Sequence, residues 1–314
     1  MIIIGAGLAG LIAAHAWPRA NVIERGPQPL QQHQALLRFR GEAVSRLTGI
    51  EFRKVMVRKG VWNSDIGGYV QPDIRAANLY AQKCLGELHG ERSIWRLDPV
   101  ERWIAPPEFY GMLLENLGSR VSWDVTFDST LAGATQRPII STAPLGEMCS
   151  VFGIIDLTTH TADRERVLPL FKRAAIHVSR YIVPGADVFQ TAYFPTEEHG
   201  VYRASITGDV LIVESMDGGL TDFELGDVAR AFGITSSTLI TLGSTKQSYG
   251  KIAPIDDNVR KQLLFRLTHD HGVYSLGRFA TWRNILLDDV VDDIGSIKRL
   301  MRSNSPYEFS KAMS

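Results

Sequence analysis

Residues 1–26 read MIIIGAGLAGLIAAHAWPRANVIERG, and this stretch decides the fold. Ile2, Ile3 and Ile4 form an apolar β-branched run with the character of a buried strand. Gly5, Gly7 and Gly10 then supply GxGxxG where that strand would turn into a helix over residues 8–16. Gly5 permits the tight turn, Gly7 lets a pyrophosphate reach the backbone, and Gly10 lets the helix lie close against the sheet. The helix N-terminus then turns its free N–H groups and positive dipole end toward the phosphates. Pro18 stops the helix, and Asn21, Val22 and Ile23 make a second strand. Glu24, at its end, is placed to accept hydrogen bonds from both hydroxyls of a ribose. The link between helix and second strand is short, so this is a trimmed dinucleotide-binding unit. A secretory leader is not expected, because no basic n-region and no small-residue cleavage site precede the second strand.

With 314 residues the chain is long for one core and natural for two packed domains. Apolar residues at 45% and charged residues at 22% imply a sizeable core. Lys plus Arg and Asp plus Glu are both 34. The zero net charge does not indicate a nucleic-acid partner and does not exclude one, since a basic patch can be local. Cys84 and Cys149 show no CxxC pattern, so neither a metal site nor a disulfide framework is expected. They are expected as small buried hydrophobes in a reducing cytoplasm. No apolar run approaches the roughly 20 residues of a membrane helix, so no membrane partner is expected. Nothing in the sequence sets an oligomeric state.

Beyond Gly26 the chain turns at Pro27 and runs polar through residues 28–34, an expected exposed loop. Residues 36–48 follow, where Arg38 and Arg40 either pair with a pyrophosphate or anionic substrate or lie on a solvated helix face. Residues 55–71 read as a hairpin with Gly67 and Gly68 at its turn, and residues 74–88 as a helix. Together these make a helical and hairpin insertion over about residues 36–90. In residues 108–117, Phe109, Met112, Leu113 and Leu117 share a helical face, with Gly118 as the stop. Val121, Trp123, Val125 and Phe127 alternate with polar residues, as in a half-exposed strand along which an adenine could lie. RPIISTAPL at 137–145 reads as a short buried strand that returns to the first sheet.

From residue 151 to about 268 the pattern turns β-rich. Strands are expected at 177–183, 188–194, 201–206 and 210–214, in an antiparallel sheet because the turns between them are short. Helices are expected at 222–232 and 257–268; GDVA at 226–229 lies inside the first and reads as structural. A last strand at 273–276 leads into GRFATW at 277–282. Asp288 then reads as an N-cap, with Asp289, Asp292 and Asp293 in the first turns and Lys298, Arg299 and Arg302 near the end. A second strand, glycine turn and helix N-terminus is what a large cofactor held from two sides requires. The fold class expected is α/β: a Rossmann-like dinucleotide-binding domain over residues 1–148 plus 270–314, and a mixed, largely antiparallel β domain over 149–269.

GAGLAGL at 5–11 with ERG at 24–26, ISTAP at 140–144, YRAS at 202–205 and GRFATWRN at 277–284 occur in an order that resembles the UDP-galactopyranose mutases. More widely it resembles the superfamily that includes protoporphyrinogen and amine oxidases. GRFATWR is the most specific match, being similar to the GRLATYR that mutases carry before their last flavin-contacting helix. The resemblance implies FAD. It carries cofactor contact onto Gly5, Gly7, Gly10, Glu24, Arg25, Val125, Gly277, Arg278, Asp288 and Val290, and sets Tyr202 and Arg203 on the sheet above the flavin. Two features depart from the pattern. The paired glycines usual after the ribose acid are missing, and the chain is shorter, partly in the helical domain that holds uridine diphosphate in mutases.

No residue set announces acid–base or nucleophilic catalysis, which fits flavin chemistry, where the cofactor carries the reaction and the protein positions the substrate. The first expectation is a cytoplasmic, amine oxidase-like FAD-dependent oxidoreductase. It would oxidise a carbon next to an amine on a small molecule, a modified nucleotide or a polymer-attached group. Tyr193, Tyr202, Tyr249 and Trp282 are candidates to wall its pocket or else to fill the core. Arg203 or Arg283 would hold a carboxylate or phosphate. The alternatives are a redox-neutral mutase or lyase-type flavoenzyme, a viral flavoenzyme acting on an amino-modified nucleobase in DNA, and a non-enzymatic flavoprotein.

Overall fold

Strand β1 (Ile2–Ile4) runs through a glycine turn into α1 (Leu8–Ala16), and the chain returns as β2 (Asn21–Ile23). The computed structural model describes residues 1–29, 37–86, 88, 94–155, 171–197, 200–216 and 218–303. Most of the polar loop expected at 28–34, with Leu36, lies outside the described residues. Next come β3 (Arg38–Phe39), α2 (Ala43–Thr48), β4 (Arg53–Asn63), β5 (Gly68–Val70), α3 (Ile74–Leu85) and β6 (Val100–Ile104). α4 (Phe109–Leu117), β7 (Val121–Ser122), α5 (Ser129–Ala134), β8 (Ile139–Ser141) and α6 (Leu145–Val151) follow. The β-rich stretch holds β9 (Arg173–Ile182), β10 (Val188–Tyr193), β11 (Val201–Gly208) and β12 (Val210–Ser215). The chain continues through α7 (Asp222–Ala231), β13 (Ile240–Ile252), α8 (Asp257–His271), β14 (Val273–Ser275), α9 (Arg278–Thr281) and α10 (Leu287–Ser303).

β14-β8-β1-β2-β7 form a five-stranded sheet whose neighbours are all parallel. The first and last strands of the described chain therefore share one sheet. Helix α1 is buried along most of its length, with Leu11, Ile12, Ala13 and Ala14 all fully covered and Ala9 and His15 partly so. It packs with Ile3 and Val22 of the sheet, Phe109, Leu113 and Leu117 of α4, and Val290, Ile294 and Ile297 of α10. Each large side chain buried this way stabilises by about 1.5–3 kcal/mol, which holds α10 beside α1 through its apolar stripe. A Cβ on Gly10 would overlap the Gly5 carbonyl oxygen, so the close approach of helix and turn requires glycine.

The second sheet has nine strands, in the order β13-β9-β12-β11-β10-β4-β6-β3, with β5 also on β4. It is antiparallel except where β10 runs parallel to β4. β3, β4 and β5, from the stretch read as an insertion, and β6, which follows it, extend this sheet. Phe39 of β3 packs at a tilt against Phe52 at 4.8 Å, and Phe52 meets Phe109 of α4 edge-on at 5.2 Å. These rings join the end of the second sheet to the helices over the first. Among the described residues, no helix is long and apolar enough to cross a membrane.

Several expectations are corrected. Residues 38–39 are a strand, and the helix there starts only at Ala43. The helix from Ile74 ends at Leu85, because Gly86 takes the left-handed conformation that closes it. Met112, expected on the buried face of α4, is 36% exposed. The strand read over 121–127 stops at Ser122, since Asp124 and Val125 turn their N–H groups back to the carbonyls of Gly26 and Glu24, with Asp124 at φ 58°. β3, β6 and β13 were not legible, and β13, ITLGSTKQSYGKI, is polar and interrupted by glycine.

GDVA is structural, as expected. Asp227 is buried and accepts hydrogen bonds from Trp62 Nε1 at 3.0 Å and Arg230 Nη2 at 2.6 Å, which ties α7 to β4. Asp227→Ala is expected to cost about 3 kcal/mol, because it strands buried donors. A urea unfolding curve checks this, and a loss under about 0.5 kcal/mol, the range of an ordinary surface change, would contradict it.

Candidate functional site

Between the two sheets lies a cavity of about 790 Å³, within the roughly 300–1,000 Å³ usual for small-molecule sites. It opens at the carboxyl ends of β1 and β8, the point in a doubly wound sheet where connections diverge and ligands bind. Thr142, just past β8, lines it, and its hydroxyl donates to the Ile4 carbonyl at 2.7 Å. Tyr110 of α4 closes one side, donating to the Ala6 carbonyl at 3.0 Å, and burial pushes its phenol up to about 12, so it stays protonated.

Two glycine turns meet at this cavity. Gly7 is extended, and nothing lies within 4 Å of where its Cβ would be, so the backbone leading into α1 faces open space. Gly277, at φ 86°, packs against the first turn of α1, where an added Cβ would sit 3.0 Å from the Ala9 Cβ. Arg278, Asp288 and Val290 line the same space. Asp288 is not the N-cap the sequence suggests. Helix α10 begins at Leu287, and Asp289 reaches back to accept from the Leu286 N–H at 2.8 Å. Asp288 Oδ1 instead accepts from the N–H groups of Arg40 and Gly41 at 2.8 and 3.2 Å, tying α10 to the chain after β3.

Gly5 and Gly10 shape the wall from behind. Glu24, Arg25 and Val125 lie beyond the cavity lining at the end of β2. The Glu24 carboxylate accepts from the N–H of Ala6 at 2.9 Å and of Gly26 at 3.1 Å, so it is oriented by the glycine turn itself. Arg25 forms an exposed ion pair with Glu147 at 3.0 Å, and Glu147 accepts from the Tyr249 hydroxyl at 3.1 Å. Tyr249 lines the cavity, so the end of β2 is linked to β13.

The opposite wall is the second sheet. Arg203 donates to both oxygens of Glu214, and Tyr202 donates to the same carboxylate at 3.1 Å. Burial alone would raise the Glu214 carboxyl, but Arg203 and Lys251 outweigh it and hold it below its ordinary value. The Lys251 ammonium sits 3.9 Å from the Tyr202 ring centroid and is almost wholly buried. Arg38 donates to Thr207 at 2.9 Å, to Thr191 at 2.7 Å, and to the carbonyls of Gln190 and Ile206. All four acceptors are neutral; burial, then the Arg203 charge, lowers its pKa to about 10. The cavity's charge balance is therefore positive: Glu214 is neutralised by Arg203, while Arg38, Lys251 and Arg278 outnumber the other acid on the lining, Asp288.

Four of the residues named from the sequence turn elsewhere. Tyr193 is packed edge-on against Tyr80 at 5.3 Å. Trp282 is buried, donates to the Ala253 carbonyl at 2.9 Å and packs on Phe171, because its left-handed backbone (φ 49°) turns the ring into the core. Arg283 pairs with Asp293 on a separate cavity of about 50 Å³. Arg40 is occupied by Asp288 and Asp289 at the start of α10. Glu214 and Lys251 were missed: Glu214 looked like a strand-end acid, and Lys251 stands in a strand with no apolar period.

Neither a protein-family model nor a curated protein matches the sequence. Among solved structures the chain is similar to a reduced UDP-galactopyranose mutase, with TM-score 0.65, 13% identity, and coverage of 100% of this chain and 98% of that one. It is also similar to a CLA-producing fatty acid isomerase from P. acnes, with TM-score 0.58, 11% identity, and coverage of 97% and 98%. A third is an oxidoreductase from Methanosarcina mazei, with TM-score 0.55, 11% identity, and coverage of 95% and 99%. At these identities the likeness is one of fold, and the fold is that of the FAD-dependent flavoenzymes.

Glu214→Gln is expected to lose about 3 kcal/mol at pH 7, because it leaves Arg203 a buried cation without its partner. The folded Glu214 pKa lies below the ordinary 4.5, so the wild-type advantage is complete above that pH and fades as the pH falls through the folded value. Unfolding curves of both proteins at pH 7 and pH 4 check the size and the sign.

Proposed function

We propose that this chain is an FAD-dependent oxidoreductase that oxidises a carbon next to an amine, on a substrate that also carries an anionic group. The observation that carries the FAD assignment is the contact of the two glycine turns at Gly7 and Gly277 on one cavity, with the oriented Glu24 carboxylate beyond it. Glu24 would hold the ribose, and the Gly7 backbone at the head of α1 the pyrophosphate. The Gly277–Arg278 turn and the start of α10 would flank the ring system. Residues 1–148 with 270–314 would thus grip the cofactor, and 149–269, with the strands of the insertion, would face the substrate.

When bound, the flavin would supply the acceptor for a hydride from the substrate carbon. The chain's own residues set which substrate form is held there. Arg38, Arg203 and Lys251 on the sheet wall oppose a second positive charge, so a bound amine is kept neutral, with the lone pair that assists hydride loss. The same cations attract a carboxylate or phosphate on the substrate. Tyr202 and Tyr249 supply aromatic wall, and Tyr110 stays a neutral donor.

A redox-neutral, mutase-like reaction is favoured by one observation, the position on the cavity of Gly277, Arg278 and Phe279, which open the GRFATWRN stretch. The two readings separate by spectrum. Anaerobic addition of an amine substrate bleaches the flavin of an oxidoreductase, whereas a mutase turns over only after reduction by dithionite. For the cofactor itself, Gly7→Val is expected to fold, since its side chain enters open space, and to purify colourless, since that space is where the pyrophosphate would lie. Circular dichroism and the visible spectrum read the two effects. A Gly7→Val protein that keeps bound flavin removes the assignment.

A further inference from the structure

We propose that Tyr249 and Glu147 form the route by which a proton leaves the substrate amine for solvent, Tyr249 taking it in the cavity and Glu147 passing it to water. The route rests on the amine reading above and deepens it. An aliphatic amine has a pKa of about 10, so at neutral pH it arrives as an ammonium ion. Arg38, Arg203 and Lys251 line the cavity and oppose that charge, and hydride loss needs the neutral form. One proton must therefore leave each bound substrate.

Tyr249 is aimed by an irregularity in its own strand. Gln247 of β13 pairs with Ile176 of β9 and Lys251 pairs with Ala174, so Ser248, Tyr249 and Gly250 face the single residue Ala175. A bulge of this kind bends the strand and re-aims its side chains. Glycine at position 250 permits it, since a Cβ there would overlap the Ile176 side chain. Tyr249 then lines the large cavity together with Gly277, Arg278 and Phe279, the turn assigned above to flank the flavin ring. Its ring packs on Phe279 at 5.3 Å, and Arg278 reaches the neighbouring Gly250 carbonyl at 3.4 Å. The phenol is thus held at the end of the cavity where the reacting carbon would lie.

The Tyr249 hydroxyl donates to Glu147 Oε1 at 3.1 Å. Glu147 lies outside the cavity lining; its side chain is 37% exposed, and its second oxygen accepts from Arg25. One hydrogen bond therefore joins a phenol on the cavity to a carboxylate in contact with water. The charges around the phenol are Glu147 of α6, Arg25 at the end of β2, Arg278 of α9, Lys251 two residues along β13, and Arg173 of β9, 3.9 Å from the ring centroid. Burial, then the Glu147 charge, raises the Tyr249 pKa, so the phenol stays neutral and acts as a carrier, giving up one proton as it gains another. In the step, the ammonium N–H bond breaks and its proton bonds to the Tyr249 oxygen, while the phenol's own proton passes to Glu147 Oε1. The nitrogen keeps the electron pair of the broken bond, and Glu147 releases its proton to water.

The test uses the FAD-loaded enzyme under anaerobic conditions with α-aminoisobutyrate. This probe carries an amine and a carboxylate but no hydrogen on the carbon next to the amine, so it binds without being oxidised. Stopped-flow mixing follows binding by the flavin spectrum and proton release by phenol red in weak buffer at pH 7. Wild type is expected to release one proton per site in step with binding. Tyr249→Phe keeps the ring, and Glu147→Gln keeps an acceptor for the hydroxyl but cannot take its proton. Each variant is expected to bind the probe and to release the same proton about tenfold or more slowly. The double variant is expected to be no slower than either single one, because the two groups act in series. A merely structural link would leave the Glu147→Gln rate unchanged. Release at the wild-type rate in both variants overturns the route and leaves the amine reading in place. Binding with no proton released overturns the amine reading, and the route with it.

Discussion

The architecture depends on one close approach, that of the first turn of α1 to the Gly5 carbonyl. No side chain fits there, and with glycine at position 10 the helix sinks until most of its residues are covered. A helix so deeply seated offers surface to two others, and α10 takes one of those places through Val290, Ile294 and Ile297. That packing sets the C-terminal glycine turn against the N-terminal one. The site between the two ends of the chain is therefore a consequence of backbone sterics and apolar burial, established before any polar contact is made.

Polar groups then divide the cavity's two walls. On the α1 side the groups offered are backbone N–H donors and a carboxylate held by the turn's own amides. On the sheet side a buried Arg203–Glu214 pair, Lys251 above the Tyr202 ring, and Arg38 bound only to neutral acceptors leave an excess of positive charge. Such an arrangement is costly in an empty apolar interior, because each cation loses hydration that neutral acceptors restore only in part. It suits a site that meets anionic ligands.

The dinucleotide unit was legible because its signals are local. A β-branched run, glycines at fixed spacing, a proline stop and an acid at the strand end each act within a few residues of themselves. The hairpin turn at Gly67 and the stripe of α10 were readable for the same reason. Non-local elements escaped. β13 is a strand because β9 pairs with it, not because its own sequence has a two-residue period; β6 exists as the partner of β4, and β3 only as the partner of β6. Asp288 looked like a cap by composition, yet Asp289 does the capping, because the Arg40 and Gly41 amides had already taken the first carboxylate.

By itself, then, the sequence determined that a glycine turn would join strand to helix at residues 5–10, that Glu24 would stand at the end of the next strand, and that an amphipathic helix would close the described chain. Backbone conformation and burial period are short-range properties, so they can be read one segment at a time. Only the tertiary structure decided which cations share a cavity. It brought Arg38 and Lys251, far apart in the chain, onto the wall that holds Arg203, and it turned Trp282 and Arg283 away. A side chain's direction depends on which strands pair and in what register, and that is settled by contacts between distant segments, which no single segment encodes.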